Sequence, residues 1–167
     1  MSELTQRELK EFIFYDPFTG EFRWRIDKGR LKSGTLAGTI NDAGYLCIKI
    51  NYVTYRAHRL AWLHEFGVWP KSLIDHKDGN RANNVFENLR EASPHQNSLN
   101  SIRCKSNKAG VKCVTWCARD QKWMAKVGFK GRYYNLGRYE DLELAELVIN
   151  EFKDKYHKQF ARYQKYE

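Results

Sequence analysis

Three side chains near the middle of the chain have the types that phosphodiester hydrolysis requires. Asp75 and His76 are adjacent, and Asn97 follows 22 positions after Asp75. A carboxylate and an amide oxygen suit a hard cation such as Mg²⁺, which keeps several waters and completes its shell with substrate phosphate. A neighbouring imidazole can take a proton from water, and the cation can stabilise the leaving oxygen. These residues predict metal-dependent hydrolysis, provided that the fold brings them together.

The surrounding residues, about 71–100, predict the order strand, loop, strand, helix. Apolar residues before Asp75 indicate a short strand, and residues 78–80, Asp-Gly-Asn, are typical of a turn. Leu89-Arg90 can return as a second strand, and residues 93–96, Ser-Pro-His-Gln, are typical of a capped helix start. Two alternatives remain open: an Asn-rich loop whose polar groups only cap turns, and a copy of the site without activity.

This pattern resembles the His-Asn-Asn version of the HNH, or ββα-metal, nuclease motif of bacteriophage and phage-intron endonucleases. The match lies in Asp75-His76, Asn88 and Asn97, with His58-Arg59-Leu60-Ala61 upstream. The resemblance implies that His76 is the general base and that Asn88 holds its loop through backbone hydrogen bonds. It also implies that Asp75 and Asn97 bind one divalent metal. Asn97 stands where many members have His, which favours Mg²⁺ or Mn²⁺ over zinc.

The same resemblance implies a homing endonuclease, which cuts double-stranded DNA to leave a 5′ phosphate and a 3′ hydroxyl. Two other functions remain open: an inactive DNA-binding regulator, and a structure-specific phage nuclease. Arg81 and Arg90 either bind phosphates near the site or are only solvated. His58 is expected to be a structural histidine.

The positive charge is concentrated in one part of the chain. Residues 101–138 contain ten Lys and Arg and one acid, Asp120, which accounts for the whole formal net charge of +9. A localised basic segment indicates a polyanionic partner, here double-stranded DNA. A solvated basic surface and an RNA-binding module are the alternatives. Within the basic linker predicted at 101–109, Arg103 and Lys105 are candidate DNA contacts, although a plain tether explains them equally well.

After the linker, the pattern predicts three strands and a helix. The strands cover 111–118, 122–128 and 132–136, and apolar residues at helical spacing cover about 140–160. We expect the apolar strand residues to pack on this helix and to leave an open sheet face. The predicted DNA-binding residues on that face are basic, aromatic or amide: Lys112, Trp116, Lys122, Lys126, Tyr133 and Asn135.

This segment resembles the plant ethylene-response-factor (APETALA-type) DNA-binding domain, over about residues 108–160. The family's domain is a three-stranded antiparallel sheet backed by one helix, and it reads the major groove with the sheet. Val114, Tyr133 and Asn135 stand where that family uses Arg, so its base preference does not carry over. The matching residues are Gly110-Val111, Trp116, Lys122-Trp123, Asn135-Leu136-Gly137, Tyr139 and Ala145.

The four cysteines predict neither disulfides nor zinc. The N-terminus lacks a secretory signal, so a disulfide framework is not expected. Cys113 and Cys117 would lie roughly 13 Å apart along an extended strand, too far to chelate one zinc easily. We therefore expect Cys104, Cys113 and Cys117 to be core thiols.

Together these patterns predict an α+β protein. Residues 1–100 form an HNH nuclease domain with its ββα-metal core at about 71–100, 101–109 a linker, and 110–167 a sheet-and-helix DNA-binding domain. The expected ligands are double-stranded DNA and one Mg²⁺ (or Mn²⁺) per active site, with no membrane and no small-molecule cofactor. We expect a phage-encoded monomer or homodimer acting in the bacterial cytoplasm. The remaining predicted elements are a helix at 5–14, a strand at 21–26, a loop at 27–43, a hairpin at 44–55 and a helix at 57–66.

Overall fold

The computed structural model describes residues 3–27, 29, 31–99 and 109–156. The chain divides into two compact units, Met1–Ser93 and Pro94–Glu167. Both contain helices and antiparallel strands, which confirms the predicted α+β class. Most of the predicted linker, with Arg103 and Lys105, lies outside the described residues. No described helix is long and apolar enough to cross a membrane.

The first unit begins with a short helix and a hairpin. Helix α1 (Gln6–Phe12) starts at a capping box, in which the Thr5 side chain accepts from the Glu8 backbone and the Glu8 carboxylate accepts from the Thr5 backbone. The helix ends earlier than predicted, because Ile13 is extended. Strand β1 (Ile13–Tyr15) pairs with β2 (Phe22–Trp24), and its alternating buried and exposed residues explain the preference for strand.

A three-stranded sheet and a helix follow. Strands β3 (Thr39–Ile40), β4 (Leu46–Ile50) and β5 (Val53–Arg56) form an antiparallel sheet in that order. The β4–β5 hairpin was predicted, whereas β3 lies inside the predicted loop. Helix α2 (Ala57–Phe66) ends at Gly67, which is left-handed at φ 74°, as the sequence predicts. The apolar face of α2 packs into one core with α1 and β1, β2 and β4.

The next elements are those that the sequence predicts around Asp75 and His76. Strand β6 (Leu73–His76) pairs antiparallel with β7 (Leu89–Ala92), and a 3₁₀ turn at Phe86–Asn88 leads into β7. Helix α3 (Pro94–Leu99) follows β7 along the chain and belongs to the second unit. The order strand, loop, strand, helix is therefore the observed one.

The rest of the second unit is a three-stranded antiparallel sheet packed on one helix. Strands β8 (Val114–Cys117), β9 (Lys122–Phe129) and β10 (Arg132–Tyr139) lie in the order β10-β9-β8. Helix α4 (Leu142–Tyr156) contacts all three strands. The core between sheet and helix consists of small and medium apolar side chains together with one aromatic: Val111, Val114, Ala125, Val127, Ala145, Ile149 and Phe152.

Candidate active site and candidate DNA-binding face

Strand β6 carries Asp75 and His76 into a buried position. Asp75 is 5% exposed and His76 is 4% exposed. Their strand pairs with β7, so that Asp75 lies opposite Arg90 and His76 opposite Leu89. A buried carboxylate next to a buried imidazole is uncommon, because both groups lose hydration and need compensation from the fold.

Arg90 compensates the charge of Asp75. Its Nε donates to the carboxylate oxygen Oδ2 at 2.9 Å, and its Nη2 lies 2.8 Å from the same oxygen in an ion pair. The Arg90 side chain is itself mostly buried. Neither interpretation made from the sequence, a phosphate clamp or a solvated residue, describes this position. The pairing of Arg90 with Asp75 follows from the cross-strand register, which sequence patterns do not specify to one residue.

The imidazole of His76 packs against other rings. The ring of His58 meets it edge-on, with centroids 5.0 Å apart and planes at 89°. Tyr45 contacts both rings, at 5.3 Å from His58 and 6.1 Å from His76. Burial lowers the pKa of His76 below its ordinary value, and the carboxylates of Asp78 and Asp75 only partly oppose this shift. His76 is therefore a neutral imidazole at neutral pH, the form that accepts a proton.

His58 is also held neutral, at the start of α2. Burial, assisted by repulsion from His76 once that ring is protonated and from Arg56 and Arg59, lowers the pKa of His58 to about 3. Its Nδ1 is buried and makes no hydrogen bond among the described residues. The ring therefore acts at this position as a flat packing surface for its neighbours.

Asn88 ties together the loop that follows His76. Its Nδ2 donates to Asp78 Oδ1 at 2.9 Å and to the Asn83 carbonyl at 3.0 Å. Its Oδ1 accepts from the Asp78 backbone at 3.0 Å, and its carbonyl accepts from Lys77 at 2.9 Å. These four bonds join the two ends of the loop. The positioning role that the resemblance implies for Asn88 stays a prediction.

Asp78 is a second brace that sequence reasoning treated only as a turn residue. Its carboxylate accepts from the Asn80 backbone at 2.8 Å, from Asn83 Nδ2 at 2.7 Å and from Asn88 Nδ2 at 2.9 Å. Partial burial alone would raise the pKa of Asp78, but these hydrogen bonds outweigh it and lower the pKa. Asp78 is thus ionised at neutral pH and organises the loop as a charged acceptor.

The N-terminal hairpin supports the far side of the same loop. The Tyr15 hydroxyl donates to the Asn84 carbonyl at 2.7 Å, and the Phe86 backbone donates to the Pro17 carbonyl at 2.9 Å. Gly20 approaches so closely that an added Cβ would lie 2.4 Å from Val85 N. Gly20 is also left-handed, at φ 74°, so glycine is required for two reasons.

Two arginines lie over the ring of Tyr45. The Arg56 guanidinium is 4.6 Å and the Arg81 guanidinium 4.9 Å from the ring centroid. Arg81 Nη1 also donates to the Ala43 carbonyl at 3.0 Å. Both side chains are exposed.

Asn97, the predicted second metal ligand, is an exposed residue of α3 in the second unit. Its role as a ligand stays a prediction. Within the described ranges, no group of three or more His, Cys, Asp and Glu side chains is arranged to hold a metal ion. The proposed ligand pair contains one carboxylate and one amide oxygen, so it is smaller than such a group and includes a residue type outside it.

The second unit has an open sheet face opposite α4. Residues paired across antiparallel strands lie on the same face, and Lys126 pairs with Asn135 while Tyr133 pairs with Gly128. With Lys122, four of the six predicted residues therefore share this face. The Lys126 ammonium lies over the Tyr133 ring at 4.7 Å. Two further residues that the sequence analysis did not select, Met124 and Arg138, pair with each other on the same face.

The predicted position of Trp116 on the open face is wrong. Strand β8 begins at Val114, because Cys113 is left-handed at φ 71° and breaks the alternation. Val114 is fully buried against α4, and Trp116 shares its side of the strand. Trp116 meets Trp123 edge-on at 4.9 Å and keeps 46% of its surface exposed. Lys112 lies half-buried in the turn before β8.

Acidic residues at one edge reduce the charge of the open face. Arg138 pairs with Asp120 at 2.5 Å, and Lys122 pairs with Glu140 at 3.2 Å. Lys126 forms no ion pair with a carboxylate in the part of the chain that the structure describes. The positive charge therefore centres on Lys126.

The three described cysteines are free thiols. Cys113 packs against the second core, as expected for a core thiol, and burial raises its pKa. Cys117 instead donates to Asp120 Oδ2 at 3.4 Å, and Cys47 accepts from Asn41 at 3.5 Å. The Cys117 position is half-buried and polar, so the prediction of a core thiol is confirmed for Cys113 and wrong for Cys117, whereas Cys104 lies outside the described residues.

The chain is similar to known proteins in family, sequence and structure comparisons. A family model described as HNH endonuclease matches residues 55–99. "Protein 3.8" of Escherichia phage T7 is 34% identical over 113 residues, which is 67% of this chain and 93% of that protein. A solved structure described as "DNA binding and cleavage by the HNH homing endonuclease I-HmuI" aligns with 87% of this chain and 81% of that one, at 22% identity and a TM-score of 0.43. The chain belongs to the family of phage T7 protein 3.8 and carries an HNH endonuclease domain.

Proposed function

We propose that the protein is a metal-dependent DNA endonuclease with His76 as its general base. The observation that carries this proposal is the buried Asp75–His76 pair at the end of β6, inside the HNH domain. Ring contacts from His58 and Tyr45 hold the imidazole in one orientation. A fixed and neutral imidazole is suited to take a proton from an attacking water.

The braced loop has a matching role in this proposal. The side chains of Asn88 and Asp78 fix the chain immediately after His76 through five hydrogen bonds. A base that must meet a water and a phosphate in line gains from such rigidity, because small displacements cost large factors in rate. Asn88 thus acts through His76 and is a positioning residue.

We propose Asp75 and Asn97 as ligands of one Mg²⁺ or Mn²⁺. The donor chemistry fits, since carboxylate and amide oxygens are hard ligands and a substrate phosphate completes such a shell. When bound, the ion supplies electrostatic stabilisation of the phosphate and of the leaving oxygen. Arg90 fixes Asp75 through one carboxylate oxygen. This assignment of ligands rests on the resemblance and on donor chemistry.

The DNA-binding part of the proposal is the open face of the second unit. Lys122, Lys126, Tyr133 and Asn135 present cationic, aromatic and amide groups on one side of a three-stranded sheet backed by a helix. The resemblance of this segment to the ethylene-response-factor domain is the reason for proposing that the sheet face meets DNA. Arg138 belongs to the same proposed surface, and Lys112, Arg103 and Lys105 remain proposed DNA contacts. A homing role and action in an infected bacterial cell complete the proposal, in which a monomer nicks one strand or a homodimer cuts both.

A plasmid assay tests the nuclease. We expect the intact protein to nick supercoiled plasmid when Mg²⁺ is present, and we expect nicking to stop when the metal is chelated. His76→Ala is expected to lower the rate by at least a hundredfold, as for loss of a general base, while duplex DNA is still bound. A matched control is His64→Ala, on the other side of α2. If wild type binds DNA but nicks no more than His76→Ala, the inactive regulator is the better description.

Binding by the sheet is tested separately. Lys126→Gln is expected to weaken binding to duplex DNA and to reduce the salt slope by about one. Lys155→Gln on α4 is the control, because this exposed lysine lies on the helix that backs the sheet. Equal effects of the two substitutions would remove the sheet face from the proposal.

A further inference from the structure

Tyr45 brings together two cations that are distant in sequence. Arg56 is the last residue of β5, whereas Arg81 lies in the loop that follows His76. Both guanidiniums are within 5 Å of the same ring centroid, at 4.6 and 4.9 Å. Because that ring also contacts His76, at 6.1 Å, the two cations lie beside the proposed general base.

The charges of this pair are not compensated inside the fold. In the first unit, Arg7, Arg23 and Arg90 each form an ion pair with a carboxylate. Neither Arg56 nor Arg81 does so with any carboxylate of the described residues. Two like charges near one ring repel each other, and an anion bound between them would remove that repulsion.

The geometry also leaves the guanidiniums suited to a phosphate. A cation–π contact engages the flat side of a guanidinium, whereas phosphate oxygens are bound by its N–H edge. Arg81 uses one N–H for the Ala43 carbonyl, which fixes its direction, and four others remain in its fork. Both side chains are exposed, so a polyanion can reach them.

We propose that Arg56 and Arg81, supported by Tyr45, form a clamp for the DNA backbone next to the phosphodiester attacked at His76. The inference deepens the proposed function and rests on it. The ligand is a phosphate of the DNA strand that enters the active site. The clamp positions the strand and takes no part in proton transfer.

The test measures binding of a random-sequence fluorescent duplex in EDTA, so that no cleavage occurs, over a range of salt concentrations. Arg56→Gln and Arg81→Gln are each expected to reduce the slope of log K against log salt by about one. Tyr45→Leu is expected to weaken binding, and Tyr45→Phe, which keeps the ring, is expected to behave as wild type. The control is Arg25→Gln, an arginine that lies over Phe14 at 5.9 Å, outside the clamp.

Nicking with Mg²⁺ separates the clamp from the nuclease. Arg56→Gln and Arg81→Gln are expected to raise KM about tenfold or more, with a smaller change in kcat. If wild type nicks and the two variants keep the slope and KM of Arg25→Gln, the clamp is overturned. If wild type does not nick but the slopes fall as expected, the nuclease proposal fails and a DNA-backbone site remains. If Tyr45→Leu does not fold, the two single arginine substitutions decide the question.

Discussion

Two nitrogens of the Arg90 guanidinium, Nε and Nη2, lie within 3 Å of one carboxylate oxygen of Asp75, Oδ2. The two residues are direct cross-strand partners of β6 and β7. The fold thus places a cation on the carboxylate that we propose as a metal ligand. Removing the cation leaves a buried charge without its partner.

Arg90→Ala is therefore expected to destabilise the β6–β7 hairpin by about 3–5 kcal/mol, the cost of breaking a buried pair on one side. Hydrogen exchange of the β6 and β7 amides in the intact protein measures the change. Asp75→Asn combined with Arg90→Met removes both charges and is expected to recover much of the loss. A single Arg90→Ala substitution that costs under 1 kcal/mol would show that the pair is solvated.

His58→Phe is expected to preserve both fold and nicking. Phenylalanine keeps a flat ring against His76, and it removes a buried Nδ1 that has no hydrogen bond in the described part of the chain. Stability should be unchanged or higher by about 1 kcal/mol. His58→Ala is the matched change, which deletes the ring and should lower kcat with little effect on KM. Loss of nicking in His58→Phe would assign a chemical role to the imidazole.

The β4–β5 turn contains a strained tyrosine. Asn51 and Tyr52 both have positive φ, 47° and 68°, and Tyr52 is 92% exposed. A left-handed residue other than glycine costs about 1–2 kcal/mol, and glycine's extra flexibility costs about 0.5–1 kcal/mol. Tyr52→Gly should thus stabilise the first unit by up to about 1 kcal/mol, measured by hydrogen exchange of β4 and β5. Thr54→Gly, inside β5, should destabilise the same strands.

Lys153 gives the second unit a dependence on pH. Burial lowers the pKa of this ammonium, and Cys113, Glu146 and Asp154 only partly offset the shift. Between the lowered folded pKa and the ordinary value of about 10.4, the folded state binds fewer protons than the unfolded state. Stability contributed by this group therefore rises with pH through that window and is lost as pH falls through the folded pKa.

Lys153→Met removes this dependence. At neutral pH it should stabilise α4 and β9 by up to about 1 kcal/mol, because a buried ion is replaced by an apolar chain of similar length. Hydrogen exchange of these amides, corrected for intrinsic rates and compared between pH 7 and 10, gives the measurement. Lys155→Met, at an exposed position of the same helix, should show neither change.

The sequence was informative where local chemistry decides the structure. Three features depend on residues a few positions apart: the start of α1 beside Thr5, the end of α2 at Gly67 and the order of elements around His76. A prediction from sequence is wrong where a single backbone angle decides the structure. One left-handed residue, Cys113, shifts the start of β8 and moves Trp116 to the other face of the sheet.

Contacts between residues far apart in the sequence could not be predicted either. The Arg90 partner of Asp75 requires knowledge of the strand register, and the Asp78 brace requires the closed loop. The ring of Tyr45 meets two arginines 11 and 36 positions away. No periodicity connects such positions, because only the packing of β4, α2 and the 77–88 loop brings them together.

The close contact of Gly20 with Val85, and the bond from Tyr15 to Asn84, bear on how small a working nuclease can be. The family model begins at residue 55, yet the loop behind His76 rests on the hairpin formed before residue 25. A fragment starting at residue 55 would keep the expected catalytic residues. It would lose the β1–β2 hairpin, which packs against the loop that follows His76. The smallest fragment with the proposed nuclease activity should therefore begin at α1. Substitutions in the β1–β2 hairpin should change the catalytic rate although they lie outside the active site.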